Sequence, residues 1–394
     1  MSKAWQALAC GLLLVPALVA GQELKIGLIG DLAGPFAAMS GKGSIAAAQM
    51  AIDDMKGTVL GRKIVLLTGD SQNKPDVGAA IAKRWYESEG VAMITDNWGS
   101  AVGLAVQAEA RRNNRIALFS GAGTADLTGK ECSASGFVWT FDTMTQARAI
   151  ASTLVKEGLD TWYFLTPDFI FGHQMEQVAG DLVKTLGGKV VGSAKFPLTN
   201  TEFSSLLLSA QSSKAKVIVI NGGDVAAAMK QAGEFGVMAG GQKFAAAILY
   251  LPFARGIGTK LGQGMYVVKS FYWDANDQTR AWAKRYFDRV GSMPSMNHAG
   301  TYSSTLHYLK AIQKAGTTET NAVVAAMREM PVSDATAQGT LRADGRLVRD
   351  YFMYQMKSPA ESKGEWDLLK LVRRIPSAEI VPALSESVCP LVKR

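Results

Sequence analysis

From residue 24 onward, short apolar runs alternate with longer stretches of helical composition. Leu24–Gly30 (LKIGLIG), Lys63–Thr68 (KIVLLT), Val91–Thr95 (VAMIT) and Ile116–Phe119 (IALF) are such runs. Between them lie Ser44–Met55, residues 75–88 and residues 101–112, which read as helices. Short strands between helices of about a dozen residues define βαβ units and a parallel sheet. The strands lack polar alternation, as expected when helices cover both sheet faces. A second series follows: Thr161–Thr166 (TWYFLT), helix 171–186, Lys189–Gly192, helix 203–212, Val217–Asn221, helix 225–236, Phe244–Tyr250 and Met265–Ser270. The seam between the two series falls near Phe141–Thr145. Helical segments 277–290, 301–315 and 320–330 come next, and Tyr351–Lys357 and Trp366–Val372 read as extended chain. The expected class is α/β, with two mainly parallel sheets flanked by helices.

The first 21 residues stand outside this pattern. Lys3 precedes an apolar run over residues 7–20 that is too short to span a bilayer, and small residues follow at Ala20 and Gly21. That is the pattern of a secretory signal peptide cleaved after Ala20 or Gly21. No later run reaches the ~18 apolar residues of a membrane helix. The expectation is export, with Cys132 and Cys389 left in the mature chain. In an oxidising compartment an even pair reads most simply as one disulfide, with two free thiols as the alternative.

The length of 394 residues suits two or three domains, and 48 % hydrophobic residues exclude a disordered chain. The net charge of +8 is spread along the chain, which describes a solvated surface rather than a nucleic-acid footprint. Three histidines, His173, His298 and His307, show no metal-ligand spacing, so no metal and no cofactor is expected. GxGxxG is absent: Gly27, Gly30 and Gly34 have the wrong spacing. Gly41-Lys42-Gly43 lacks the Ser or Thr of a phosphate loop. Trp98-Gly99-Ser100-Ala101-Val102 fails as a nucleophile elbow, so a secreted hydrolase is only a remote alternative.

Polar, Gly-rich loops follow the strand ends at Gly34–Gly43, Asp96–Ser100, Ser120–Thr128 and Asn221–Asp224. Ligands bind beyond those strand ends in open parallel sheets. Helix N-termini there favour anions, and Ser100, Ser120 and Thr124 add hydroxyls, a layout suited to a carboxylate. Ser100 and Thr124 also suit helix caps.

Ile26–Pro35 (IGLIGDLAGP), Trp98–Val106 (WGSAVGLAV), Ser120–Thr128 (SGAGTADLT), Asp168–Gly172 (DFIFG) and Lys230–Gly236 (KQAGEFG) together resemble the leucine/isoleucine/valine-binding branch of type I periplasmic binding proteins, the solute-binding proteins of ABC importers. Gly339–Arg346 and Cys389–Lys393 are similar to one subgroup of it. The resemblance implies two α/β lobes joined by three crossings: residues 22–142 with about 272–340, and 143–271 with about 341–394. It implies a non-enzymatic, monomeric periplasmic protein that traps a small molecule by hinge closure and hands it to an inner-membrane ABC permease. A ligand-binding sensory role is the alternative. On this resemblance the ligand carboxylate falls to Ser100 and to the loop Gly121, Ala122, Gly123 and Thr124. Met39 and Ser40 form a wall, Phe171 covers the ligand from the second lobe, and Asp224 is another contact from that lobe. Trp98, Tyr250 and Phe253 are apolar candidates around the cleft. Amino-acid binders of the family place a Glu after a second-lobe strand. Phe244–Phe253 (FAAAILYLPF) holds no acid, so either Asp224 replaces it or the ligand lacks an α-amino group.

Overall fold

A computed structural model describes residues 23–392; the expected signal peptide lies outside the described residues. In chain order the first half holds β1 (Leu24–Gly30), α1 (Gly41–Asp54), β2 (Thr58–Val59), β3 (Arg62–Asp70), α2 (Pro75–Glu87), β4 (Met93–Asp96), α3 (Ser100–Arg112), β5 (Ile116–Phe119) and β6 (Gly136–Val138). Then come α4 (Thr143–Lys156), β7 (Thr161–Pro167), α5 (Ile170–Thr185), β8 (Lys189–Phe196), α6 (Ser204–Ser212), β9 (Val217–Ile220), α7 (Val225–Glu234), β10 (Lys243–Ala246), α8 (Leu251–Gly262) and β11 (Tyr266–Lys269). The last part holds α9 (Asp277–Val290), α10 (Met296–Ala315), α11 (Thr320–Glu329), β12 (Val332–Ser333), β13 (Gln338–Leu341), β14 (Leu347–Val348), β15 (Tyr351–Met356), β16 (Leu369–Ile375) and α12 (Ser377–Ile380).

Two large sheets result, ordered β2-β3-β1-β4-β5-β6 and β16-β15-β11-β10-β9-β7-β8, together with a small antiparallel sheet β12-β13-β14. Strands β1, β3, β4, β5 and β6 run parallel, as do β7 to β11, while β15 and β16 close the second sheet antiparallel. The apolar runs are buried because helices cover both faces: Ile26, Leu28, Ile94, Leu118 and Phe119 in the first sheet are fully enclosed, as are Trp162, Phe164, Val219 and Ile220 in the second. Helix α10 packs on α1 and α11, so the chain returns to the first sheet after β11.

The chain passes between the layers after β6, after β11 and after β14. Buried polar bonds knit these passages together. The Arg346 guanidinium pairs with the Asp142 carboxylate and donates to Thr128 Oγ1 at 2.7 Å. Arg349 donates to the Ser270 carbonyl at 2.6 Å, and the Tyr351 hydroxyl donates to the Thr140 carbonyl at 3.0 Å. The Cys132–Cys389 disulfide spans 257 residues of sequence and pins the C-terminal tail to the loop before β6. By chain entropy so long a loop is worth about 5 kcal/mol at most.

The observed elements differ from the sequence reading in a few places. Strand β6 and helix α4 are not among the elements read from the sequence: β6 precedes the seam at Phe141–Thr145, and α4 begins within it. Asp142 starts α4 with a capping box, its carboxylate accepting from the Thr145 N–H at 2.8 Å. Strand β10 stops at Ala246, short of Tyr250, and α10 begins at Met296, ahead of residue 301.

Candidate ligand-binding site

A cavity of about 270 Å³ opens between the ends of the two sheets. On the first-sheet side its wall begins in the loop after β1. There the Asp31 carboxylate accepts from the Gly34 and Phe36 N–H groups at 3.0 and 2.9 Å, fixing a turn that presents Phe36 and Met39. Asn73, after β3, adds an amide. The turn after β4 runs through left-handed backbone at Asp96 (φ 68°), Asn97 (φ 53°) and Gly99 (φ 92°). Position 99 needs glycine twice over, because a Cβ there would also sit 2.3 Å from Asn73 Oδ1. Gly99 is the N-cap of α3 and supplies no side-chain acceptor, so the first-turn N–H groups of α3 stay uncapped. Ser100 and Ala101, the first two residues of that helix, lie on the cavity wall.

The second-sheet side is aromatic. Phe169 and Phe171 come from the start of α5, Gly222 and Gly223 from the loop after β9, Ile248 and Tyr250 from the segment joining β10 to α8, and Phe253 from the first turn of α8. Trp98 lies 5.3 Å from Tyr250 and 5.8 Å from Phe36, centroid to centroid. Phe171 meets Phe141 edge-on at 6.1 Å. A Cβ on Gly123 would fall 2.4 Å from the Phe141 ring and 3.0 Å from Phe171, so the glycine lets these rings close over the loop.

No Asp, Glu, Lys, Arg or His stands among the residues that line this cavity. The wall therefore offers flat apolar surface, a few hydroxyl and amide groups, and the positive end of the α3 dipole. Such a site suits a small molecule with one anionic end and an apolar body. Burial, with a lesser contribution from the Asp96 charge, holds the Tyr250 phenol well above its ordinary range, so it is a neutral hydroxyl at physiological pH.

A model of the family described as "Periplasmic binding protein" matches residues 23–365. The chain belongs to that family. Among solved structures it is similar to a periplasmic binding protein from Burkholderia mallei, with 37 % identity and a TM-score of 0.90, covering 94 % of this chain and 99 % of that one. It is similar to a branched chain amino acid ABC transporter periplasmic ligand-binding protein from Burkholderia xenovorans LB400 as well, with 35 % identity, a TM-score of 0.88, and 94 % and 100 % covered. A solute binding protein of an ABC transporter from Rhodopseudomonas palustris BisB5, in complex with 3,4-dihydroxy benzoic acid, shares the fold at 20 % identity and a TM-score of 0.82, with 90 % and 98 % covered. No curated protein matches the chain. The two-sheet architecture agrees with that of these two-lobed family members. Among the described residues no helix is long and apolar enough to cross a membrane.

Seven of the eleven ligand-site residues expected from the sequence line the cavity: Met39, Trp98, Ser100, Gly121, Gly123, Phe171 and Tyr250. The other four are turned to other work. Ser40 is fully buried and donates to Asp96 Oδ2 at 2.6 Å. Ala122 is fully buried beneath α3, where a Cβ on Gly103 would come within 2.5 Å of its methyl. Thr124 caps the short helix that follows it and donates to Gln174 Oε1 at 2.9 Å. Asp224 caps α7, accepting from the Ala227 N–H at 2.9 Å, and does not reach the wall. Phe36, Asn73, Phe141, Phe169, Leu198 and Ile248 were not singled out by sequence. Most follow a strand end, which is the signal that could have found them.

Proposed function

We propose that this protein is the ligand-capturing component of an ABC importer, taking a small carboxylic acid with an aromatic or branched apolar body and presenting it to an inner-membrane permease from the periplasm. Its lobes are residues 22–142 with about 272–340 and residues 143–271 with about 341–394. The carboxylate docks on the α3 N-terminus and Ser100, and the second lobe then closes Phe171, Tyr250 and Phe253 over the body. Closure is driven by contacts that only the closed form makes, as ring stacking across the cleft would be.

The observation that carries this reading is an aromatic wall on both sides of an uncapped helix start with no charged side chain on it. Burying a ligand ammonium there without a counter-ion would cost several kcal/mol. That favours an organic acid over an α-amino acid, and the 3,4-dihydroxy benzoic acid bound by the Rhodopseudomonas palustris protein points the same way. The similarity to the branched chain amino acid transporter protein of Burkholderia xenovorans favours a branched-chain amino acid instead. A thermal-shift screen separates the two, since a ligand at a hundred times its Kd adds about 2.7 kcal/mol of stability. Benzoate, 3,4-dihydroxybenzoate and a branched 2-keto acid should raise Tm. A response to leucine and valine alone would overturn the organic-acid choice.

A further inference from the structure

We propose that Asp96 is a positioning residue of the carboxylate-binding loops, and that capture of an anionic ligand draws one proton from solvent onto its side chain. The inference rests on reading the cavity as a carboxylate site. Asp96 ends β4 in left-handed backbone, and its carbonyl accepts from the Ser120 N–H at 3.2 Å and the Gly121 N–H at 3.0 Å. It thereby joins the two loops that face the ligand, Trp98–Ala101 and Ser120–Gly123. Its side chain lies directly behind the wall: a Cβ on Gly121, itself a lining residue, would stand 3.1 Å from Asp96 Oδ1.

The Asp96 carboxylate is fully buried and is met only by hydroxyls. Ser40 Oγ donates at 2.6 Å, and Ser120 Oγ and Thr301 Oγ1 approach at 3.4 Å each. Among the described residues no cation pairs with it. The titratable groups packed around it are uncharged. Tyr250 faces it from the second sheet and Tyr286 from α9, both with phenols held far above neutral pH. His298 on α10 stacks on Tyr286 at 5.3 Å and is kept neutral by burial. No charged side chain lines the cavity, so a ligand carboxylate would stand as a second negative charge beside Asp96, separated from it by one glycine. Like charges so placed favour the neutral acid on one of them. Burial has already raised Asp96 to about 6, with the hydroxyl donors pulling the other way. The ligand keeps its charge on the helix N-terminus, and Asp96 takes the proton. The neutral carboxyl still accepts on one oxygen and donates from the other, so the loops stay held.

Linkage fixes the sign: if binding takes up a proton, affinity rises as pH falls, by at most tenfold per pH unit. Isothermal titration of the intact protein with benzoate and with a branched 2-keto acid, from about pH 6 to about pH 8 in two buffers of different ionisation enthalpy, reads this directly. The expected result is net proton uptake for the bound probe and an affinity roughly tenfold higher at the acid end of that range. Asp96→Asn should abolish both. Thr301→Ala, which removes one donor from the carboxylate, should move the profile to higher pH. A probe that binds with no proton uptake and a flat profile overturns the proposal and leaves the carboxylate reading intact. If neither probe binds at any pH, the carboxylate reading falls and takes the proposal with it. Should Asp96→Asn fail to fold, an unshifted profile in Thr301→Ala overturns the proposal.

Discussion

Trp98 and Tyr250 face each other across the cavity with ring centroids 5.3 Å apart and planes inclined at 52°. Trp98 follows β4 of the first sheet, and Tyr250 precedes α8 beside the second. The pair spans the two layers, so its contact depends on how closely they approach. An apolar ligand body placed beside these rings gains surface from both at once.

Trp98→Ala should therefore weaken ligand binding by about 2 kcal/mol or more, the range for an aromatic anchor in a desolvated pocket. Trp98→Phe, which keeps a ring but shortens its reach, should recover part of that loss. Calorimetric titration with the best ligand from the screen checks both. Equal affinity in all three proteins would show that the body lies elsewhere.

Ser100 is the first residue of α3 rather than its cap, and the cap residue Gly99 has no side chain to lose. A Ser100→Ala variant should keep the melting temperature of the unliganded protein. Its affinity for a carboxylate should fall by roughly 1.5–3 kcal/mol, the range for a hydrogen bond to a charged group. A lowered melting temperature with unchanged affinity would make the hydroxyl structural.

The Asp224 side chain is committed to the N–H of Ala227 at the start of α7. Asp224→Asn preserves an acceptor there and should leave both affinity and stability nearly unchanged. Asp224→Ala should cost about 1 kcal/mol of stability, measured by denaturant unfolding, with affinity retained. Loss of leucine binding in Asp224→Asn would restore the aspartate as an ammonium counter-ion.

These residues show where the sequence was legible and where it was not. The strands Leu24–Gly30 and Ile116–Phe119 and the helix Asp277–Val290 carry their own period and turn signals, and they fall where the pattern puts them. The apolar run Phe244–Tyr250 reads as a single strand, yet Ala246 ends it and Ile248 and Tyr250 turn to the cavity. Hydrophobicity alone does not separate a core wall from a ligand wall, because both exclude water. Ser40 and Asp224 failed as cavity contacts for a related reason. A short polar side chain in a loop serves whichever unpaired group is nearest, and only the tertiary structure reveals whether that is a ligand, a helix start or another side chain. Helix α4 was missed because it begins Thr-Met-Thr, and threonine is a weak helix former.

His298 gives the protein an acid weakness of calculable sign. Its ring is buried at the start of α10, where Nδ1 accepts from the Ser295 N–H at 3.1 Å. Burial drives its pKa from the ordinary 6.5 down to about 3, with the Met39 carbonyl offsetting part of the shift. A base whose folded pKa is lowered contributes fully above its unfolded pKa, and that contribution is lost as pH falls toward the folded value. Between about pH 6.5 and pH 3 the loss attributable to His298 should reach a few kcal/mol. Asp96 acts in the opposite sense. Its folded pKa of about 6 is raised from 3.8, so its contribution is present at low pH and is lost as pH rises through that window. The two partly cancel in the whole protein, which is why the comparison needs a variant. His298→Gln keeps a side chain able to complete the capping box and removes the titration. Denaturant unfolding of both proteins between pH 4 and pH 7 should show their stability difference narrowing, or reversing, toward the acid end. A difference that stays constant across that range would mean that the His298 ring has the same pKa in the folded and the unfolded chain.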